Sequence, residues 1–120
     1  MSYQIDQLRP HIERELVSAQ CAETEGDHSR AFTHLERAHV LGQSNTLLHI
    51  QIHWKMFLWG WRNKNLGECF GQVVRIIGAT TKTIFGLIPT GNTGGSNVSP
   101  FRSMPIPQDL MEILESARKT

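Results

Sequence analysis

Four of the six histidines fall between His34 and His53, and their spacing is the feature of this sequence with most chemical content. On a helix that turns about 100° per residue, His49 and His53 stand one turn apart on one face, an arrangement that can chelate a single transition-metal ion. Glu36 and His39 form Glu-x-x-His, a spacing that places a carboxylate and an imidazole side by side in helical di-metal proteins. His11 and Glu15 repeat the one-turn spacing near the start of the chain. The expected metal ligands are therefore His39, His49, His53 and Glu36, with His11 and Glu15 as outer candidates. A mixture of imidazole and carboxylate suits zinc, iron or copper better than calcium or magnesium. A full di-iron bundle needs a second Glu-x-x-His, which this chain lacks. The same histidines can also serve as hydrogen-bonding groups at helix contacts, in which case no cofactor is needed.

A second candidate is the stretch Gly91-Asn92-Thr93-Gly94-Gly95-Ser96. Its glycines can adopt positive φ and turn successive N–H groups inward as an anion-binding nest, with Lys82 upstream supplying a cation. The Gly-Lys-Ser/Thr signature of a nucleotide-binding P-loop is missing. The bland alternative is a loop whose Asn and Ser side chains satisfy its own backbone. Trp54, Trp59 and Trp61 beside Arg62 and Lys64 have the composition of a base-stacking platform, but two of the three fall on an apolar helical stripe, and no nucleic-acid partner is expected. Cys21 and Cys69 show neither Cys-x-x-Cys spacing nor a nucleophile signature, so both are expected as free thiols.

The elements that must position these groups are helices. Leu8, Ile12, Leu16, Ala19 and Ala22 recur at intervals of three and four after an N-cap at Asp6, with Pro10 placed in the first turn. Glu25-Gly26-Asp27 makes a turn, and a second helix carries Ala31, Leu35, Ala38 and Leu41 as far as Gly42. The third helix, from Thr46 to about Trp61, is apolar on two sides. Leu47, Ile50, Trp54, Phe57 and Trp61 form the expected core stripe, while Leu48, Ile52 and Trp59 form a second face free to meet a protein partner or another copy of the chain. A fourth helix bears Phe70, Val73, Val74, Ile76 and Ile77 and runs on toward Lys82 or Phe85. Residues 86–106 read as a long loop, rich in Gly, Asn, Ser and Pro, that covers the helices. A last helix over 107–119, with Pro107 at its first position and Arg118-Lys119 at its end, is suited to cap the second hairpin.

The first two helices and the next two superimpose at an offset of 38 residues (49 − 11), which pairs His11 with His49 and Leu35 with Val73. Within the first pair, Gly26 in the turn, Ala31 and Ala38 at the tight contacts and Leu35 between them resemble a tetratricopeptide repeat. The expected fold is thus one all-α domain over 1–120: hairpins at 6–42 and 46–85, a covering loop at 86–106 and a terminal helix at 107–119. Two repeats are too few to be stable alone, so the remaining segments or a second subunit must cover the exposed ends. The segments His34-Leu35-Glu36-Arg37-Ala38-His39, Arg75-Ile76-Ile77-Gly78-Ala79, Gly91-Asn92-Thr93-Gly94-Gly95, Asn97-Val98-Ser99-Pro100-Phe101 and Met104-Pro105-Ile106-Pro107 resemble a bacterial family of small proteins, domain of unknown function 3703. That resemblance implies a shared fold and brings no catalytic residues.

Lysine and arginine total 12 against 11 acidic residues, so bulk charge attracts neither nucleic acid nor an anionic membrane. No apolar run is long enough to span a bilayer, and the first residues do not read as a signal peptide, which makes the cytoplasm the expected compartment. Three readings follow: a metal-binding protein, a non-catalytic helical interaction module, and a binder of small anions or metabolites. Whether any is enzymatic does not follow from the sequence.

Overall fold

The computed structural model describes residues 2–85 and 104–119. Five helices make up the fold: α1 (Ile5–Thr24), α2 (His28–Gly42), α3 (Thr46–Arg62), α4 (Leu66–Phe85) and α5 (Gln108–Ser116). The expected all-α class is the observed one. Consecutive helices pack as two antiparallel hairpins, α1 on α2 and α3 on α4, joined through α2 and α3.

The two hairpin turns share a local chemistry. In the first, Gly26 adopts φ 82° and the Asp27 side chain accepts the Arg30 N–H to cap α2. In the second, Lys64 adopts φ 56° and the Asn65 side chain accepts the Glu68 N–H to cap α4. Both pairs of positions are 38 residues apart (64 − 26 and 65 − 27). The repeat expected from the sequence therefore exists in the turns. The turn between hairpins is capped by Asn45, which accepts the Leu48 N–H.

Leu8 and Ile12 of α1, Leu35, Ala38 and Leu41 of α2, and Leu48, Ile52 and Met56 of α3 form one core with Leu110, Leu114 and Ala117. Burying each large aliphatic side chain stabilises the fold by about 1.5–3 kcal/mol before the cost of ordering it. Gly42 lies where α2 meets α3 so closely that an added Cβ would fall 2.9 Å from Ile52 Cδ1.

Three expectations change. The sides of α3 are exchanged: Leu48 and Ile52, expected to face a partner, are buried in the core, whereas Leu47, Trp54 and Trp61 are exposed. The 38-residue alignment mapped the α1 stripe onto α3, but α3 must also turn toward α4, and this rotates its core-facing side to Leu48, Ile52 and Met56. Trp59 packs on Phe32 with ring centroids 4.6 Å apart and donates its indole N–H to the His28 carbonyl. It is part of the hairpin contact.

Second, α5 packs on α1 and α2 and so completes the first hairpin, not the second. Asp109 at its start pairs with Arg37, which also reaches Glu15 at 3.1 Å. The Gln4 N–H donates to Ala117 O and the Lys119 N–H to Ser2 O, so the two chain ends lie side by side. Arg118 belongs to this clasp, beyond the last helical turn, and Pro107 is the N-cap of α5. Third, α1 starts at Ile5, which puts Pro10 past its first turn at an exposed position. The loop expected over 86–106 falls, up to residue 103, outside the described residues.

Candidate metal centre

His39 is in the last turn of α2, and His49 and His53 occupy the first two turns of α3. The short connection capped by Asn45 folds α3 back against α2 and brings the three rings together. They are 3%, 6% and 2% exposed. Each offers one ring nitrogen, and these three nitrogens all lie within 4.8 Å of one another. His49 Nε2 stands 2.9 Å from His39 Nε2 and 3.0 Å from His53 Nε2. The ring centroids of all three pairs are 4.7 Å apart.

A polar row on α4 supports the cluster. Glu68 and Gln72 are one turn apart, and both are buried. The Glu68 carboxylate accepts a hydrogen bond from Gln72 Nε2 at 2.5 Å, so the carbonyl end of the amide faces His53. Gln72 Oε1 then accepts from His53 Nδ1–H, also at 2.5 Å. A neutral His53 with its proton on Nδ1 presents a lone pair on Nε2, the form in which an imidazole binds a metal. A carboxylate on one helix thus selects, through an amide, the tautomer of a histidine on another. Arg75, one turn beyond Gln72, is also buried. Burial lowers its pKa below the usual arginine value, and the Glu68 carboxylate opposes that shift.

The proton arithmetic of the cluster is unusual. A single ring nitrogen carries a proton or a lone pair, so His49 Nε2 can form a good hydrogen bond with only one of its two neighbours. With His53 Nε2 presenting a lone pair, a proton on His49 Nε2 satisfies His53 and opposes a proton on His39. A cation in the centre accepts all three lone pairs at once. A tetrahedral ion with metal–nitrogen bonds of 2.0–2.1 Å separates its ligand nitrogens by about 3.3 Å. The observed spacings of 2.9 and 3.0 Å lie close to that edge.

The other sequence candidates go elsewhere. Glu15 turns to α2, where it meets His34 Nδ1 at 2.8 Å and Arg37. It serves as the anchor of a part-buried ion pair, and the six-residue set expected from spacing contracts accordingly. His11 is half-buried on α1 and Glu36 half-buried on α2, both outside the three-nitrogen group. His28 pairs with Glu23 at 2.8 Å. Gly91, Asn92, Gly94 and Gly95 lie outside the described residues, as does the Lys82 side chain. Cys69 is buried, with its sulfur 3.5 Å from the Phe57 carbonyl and directed at the hairpin contact.

Sequence reasoning missed Glu68, Gln72 and Arg75. Their signal was present: polar residues at i, i+4 and i+7 on an otherwise apolar helix trace one narrow stripe. Such a stripe ordinarily faces water, and here it is buried, with Gln72 against His53.

The chain belongs to the family described as protein of unknown function (DUF3703), whose model matches residues 6–114. No curated protein and no solved structure matches it.

Proposed function

We propose that this protein binds one transition-metal ion through Nε2 of His39, His49 and His53. The observation that carries the reading is the placement of His49 Nε2 within hydrogen-bond distance of two other imidazole nitrogens, a contact set that a shared cation satisfies and protons do not. Imidazole ligands suit zinc, copper, iron or nickel. Three neutral ligands leave the charge of the ion uncompensated, so a fourth position would take water, hydroxide or a further side chain. In such a site zinc lowers the pKa of a bound water to about 7. The residues of this chain supply three lone pairs, the fixed His53 tautomer and a dry enclosure. Glu36, His11 and Glu15 are not ligands in this proposal.

Elemental analysis of untagged protein tests it. Close to one equivalent of metal is expected in the wild type, and less than roughly a tenth of that in a His49→Ala/His53→Ala variant with unchanged helical content. Equal and negligible metal in both, after supply of zinc, copper, iron and nickel in turn, would remove the proposal.

A further inference from the structure

Helix α4 is inverted relative to an ordinary surface helix. Its polar residues Glu68, Gln72 and Arg75 are buried, while Leu66, Phe70, Val73, Val74 and Ile77 point away from the fold. Those five recur at intervals of three and four and trace one stripe. On α3 the side away from the core bears Leu47, Trp54 and Trp61 at intervals of seven. Trp54 stacks on Phe57 at 5.2 Å and Phe57 on Trp61 at 6.4 Å, so the aromatic row is continuous. All eight residues of the two stripes are between 43% and 74% exposed. Among the described helices α4 packs on α3 alone.

We infer that this outer face of the second hairpin is the interface of a two-fold dimer, in which a second copy of the chain lays its own α3–α4 face on the first. The area fits. Three aromatic side chains of about 150–250 Å² each and five aliphatic ones, all substantially exposed, place on the order of 800–1,000 Å² of apolar surface on one protomer. The largest apolar patch of a typical monomer is roughly 300–600 Å², and a stable interface needs about 800 Å² per partner. The charge fits as well. Neither stripe contains an ionisable residue, so a self-complementary, isologous contact brings no like charges together. A membrane-surface helix instead keeps a solvated basic side opposite its apolar one. The polar side of α4 is buried against its own hairpin and offers lipid headgroups no such row. Metal binding plays no part in the argument, because His53 meets α4 at Gln72, on the opposite side of that helix.

Sedimentation equilibrium of the full chain from low to high micromolar concentration tests the inference. The expected result is a species of twice the chain mass, with association weakened about 100-fold by Phe70→Glu on α4 and by Trp61→Glu on α3. Circular dichroism verifies that both variants keep their helices. Acrylamide quenching of the wild type provides a readout that needs no variant, and it should fall as concentration rises and Trp54 and Trp61 become covered. A wild type monomeric at every concentration overturns the inference. So does a dimer indifferent to both substitutions with unchanged quenching, which would place the interface elsewhere. A monomer that floats with phosphatidylserine-containing vesicles overturns it in favour of a membrane partner.

Discussion

The two hairpins have nearly the same turns and opposite interiors. In α1–α2 the apolar residues Leu8, Ile12, Leu35 and Leu41 point inward, and charge is kept near the surface, where Glu15, Arg37 and Asp109 link three helices. In α3–α4 the contact between helices is polar: His53, beside His49, meets Gln72, with Glu68 and Arg75 on the same side of α4, and the apolar stripes lie outside. One backbone plan thus serves two energetic designs. The first hairpin is stabilised by burial within the chain. The second forgoes part of that term to hold five polar side chains, each expensive to bury unless satisfied. The lesson is that a repeat can be faithful in its turns, where backbone conformation is decided locally, and unfaithful in its faces, where the neighbours decide.

The largest expected break in this contrast comes from α3, which belongs to both designs. Met56→Ala and Ile52→Ala should each destabilise the monomer by about 2–5 kcal/mol, since both are fully enclosed. Trp54→Ala, on the outer face, should change monomer stability by less than about 0.5 kcal/mol. Urea denaturation at low protein concentration compares them, and a costly Trp54→Ala would show that the outer stripe is covered within the monomer.

Gln72→Leu comes next. It leaves the Glu68 carboxylate and His53 Nδ1–H without the amide that joins them, at a cost of about 1–3 kcal/mol. Metal affinity should fall about 10–100-fold as the His53 tautomer is freed, measured by competition with a chromophoric chelator. Loss of stability with no change in affinity would separate α4 from the metal site.

The turns provide a smaller and more symmetrical test. Lys64→Gly should raise stability by roughly 0.5–1 kcal/mol by relieving a side chain at positive φ, while Gly26→Ala should lower it by a similar amount. Thermal melts that moved both in one direction would break the equivalence of the turns.

The smallest effect belongs to the Arg37–Asp109 pair. Its hydrogen bond with Arg37 holds the Asp109 carboxyl below its ordinary value of 3.8, and the same bond, with Asp109 as the main cause, raises Arg37. A depressed carboxylate adds stability that is fully present above its unfolded value and is lost as pH falls through its folded one. The wild-type advantage over Asp109→Asn should therefore be constant at neutral pH, begin to shrink as pH falls past about 3.8, and vanish only below the depressed folded value. Asp109 is largely exposed, so the advantage should stay under about 1 kcal/mol.

Much of this architecture was legible in the sequence. Helical periods, turn residues and the 38-residue offset give five helices in order, and spacing places His39, His49 and His53 among six candidate ligands, with Glu36, His11 and Glu15. Each of those signals is local. The side of α3 that enters the core was misjudged because both of its sides are apolar, and only the positions of α2 and α4 decide between them. One-turn spacing with His11 marks Glu15 as an outer ligand candidate, and that spacing carries no trace of Arg37, 22 residues away, with which Glu15 pairs. The α4 support was hidden because burial of Glu68, Gln72 and Arg75 has no signature in a residue pattern that usually means solvent.

The clasp between Ser2 and Lys119 means that this chain is almost a closed ring. It could be recut. Joining the ends through a short linker and opening the Gln43–Asn45 turn would reorder the helices as α3, α4, α5, α1, α2 without asking any to move. His39 and His49, ten residues apart in the natural order, would then sit near opposite ends of the polypeptide. Comparing such a permutant with the parent would measure how much of the site depends on covalent nearness and how much on the packing that surrounds it.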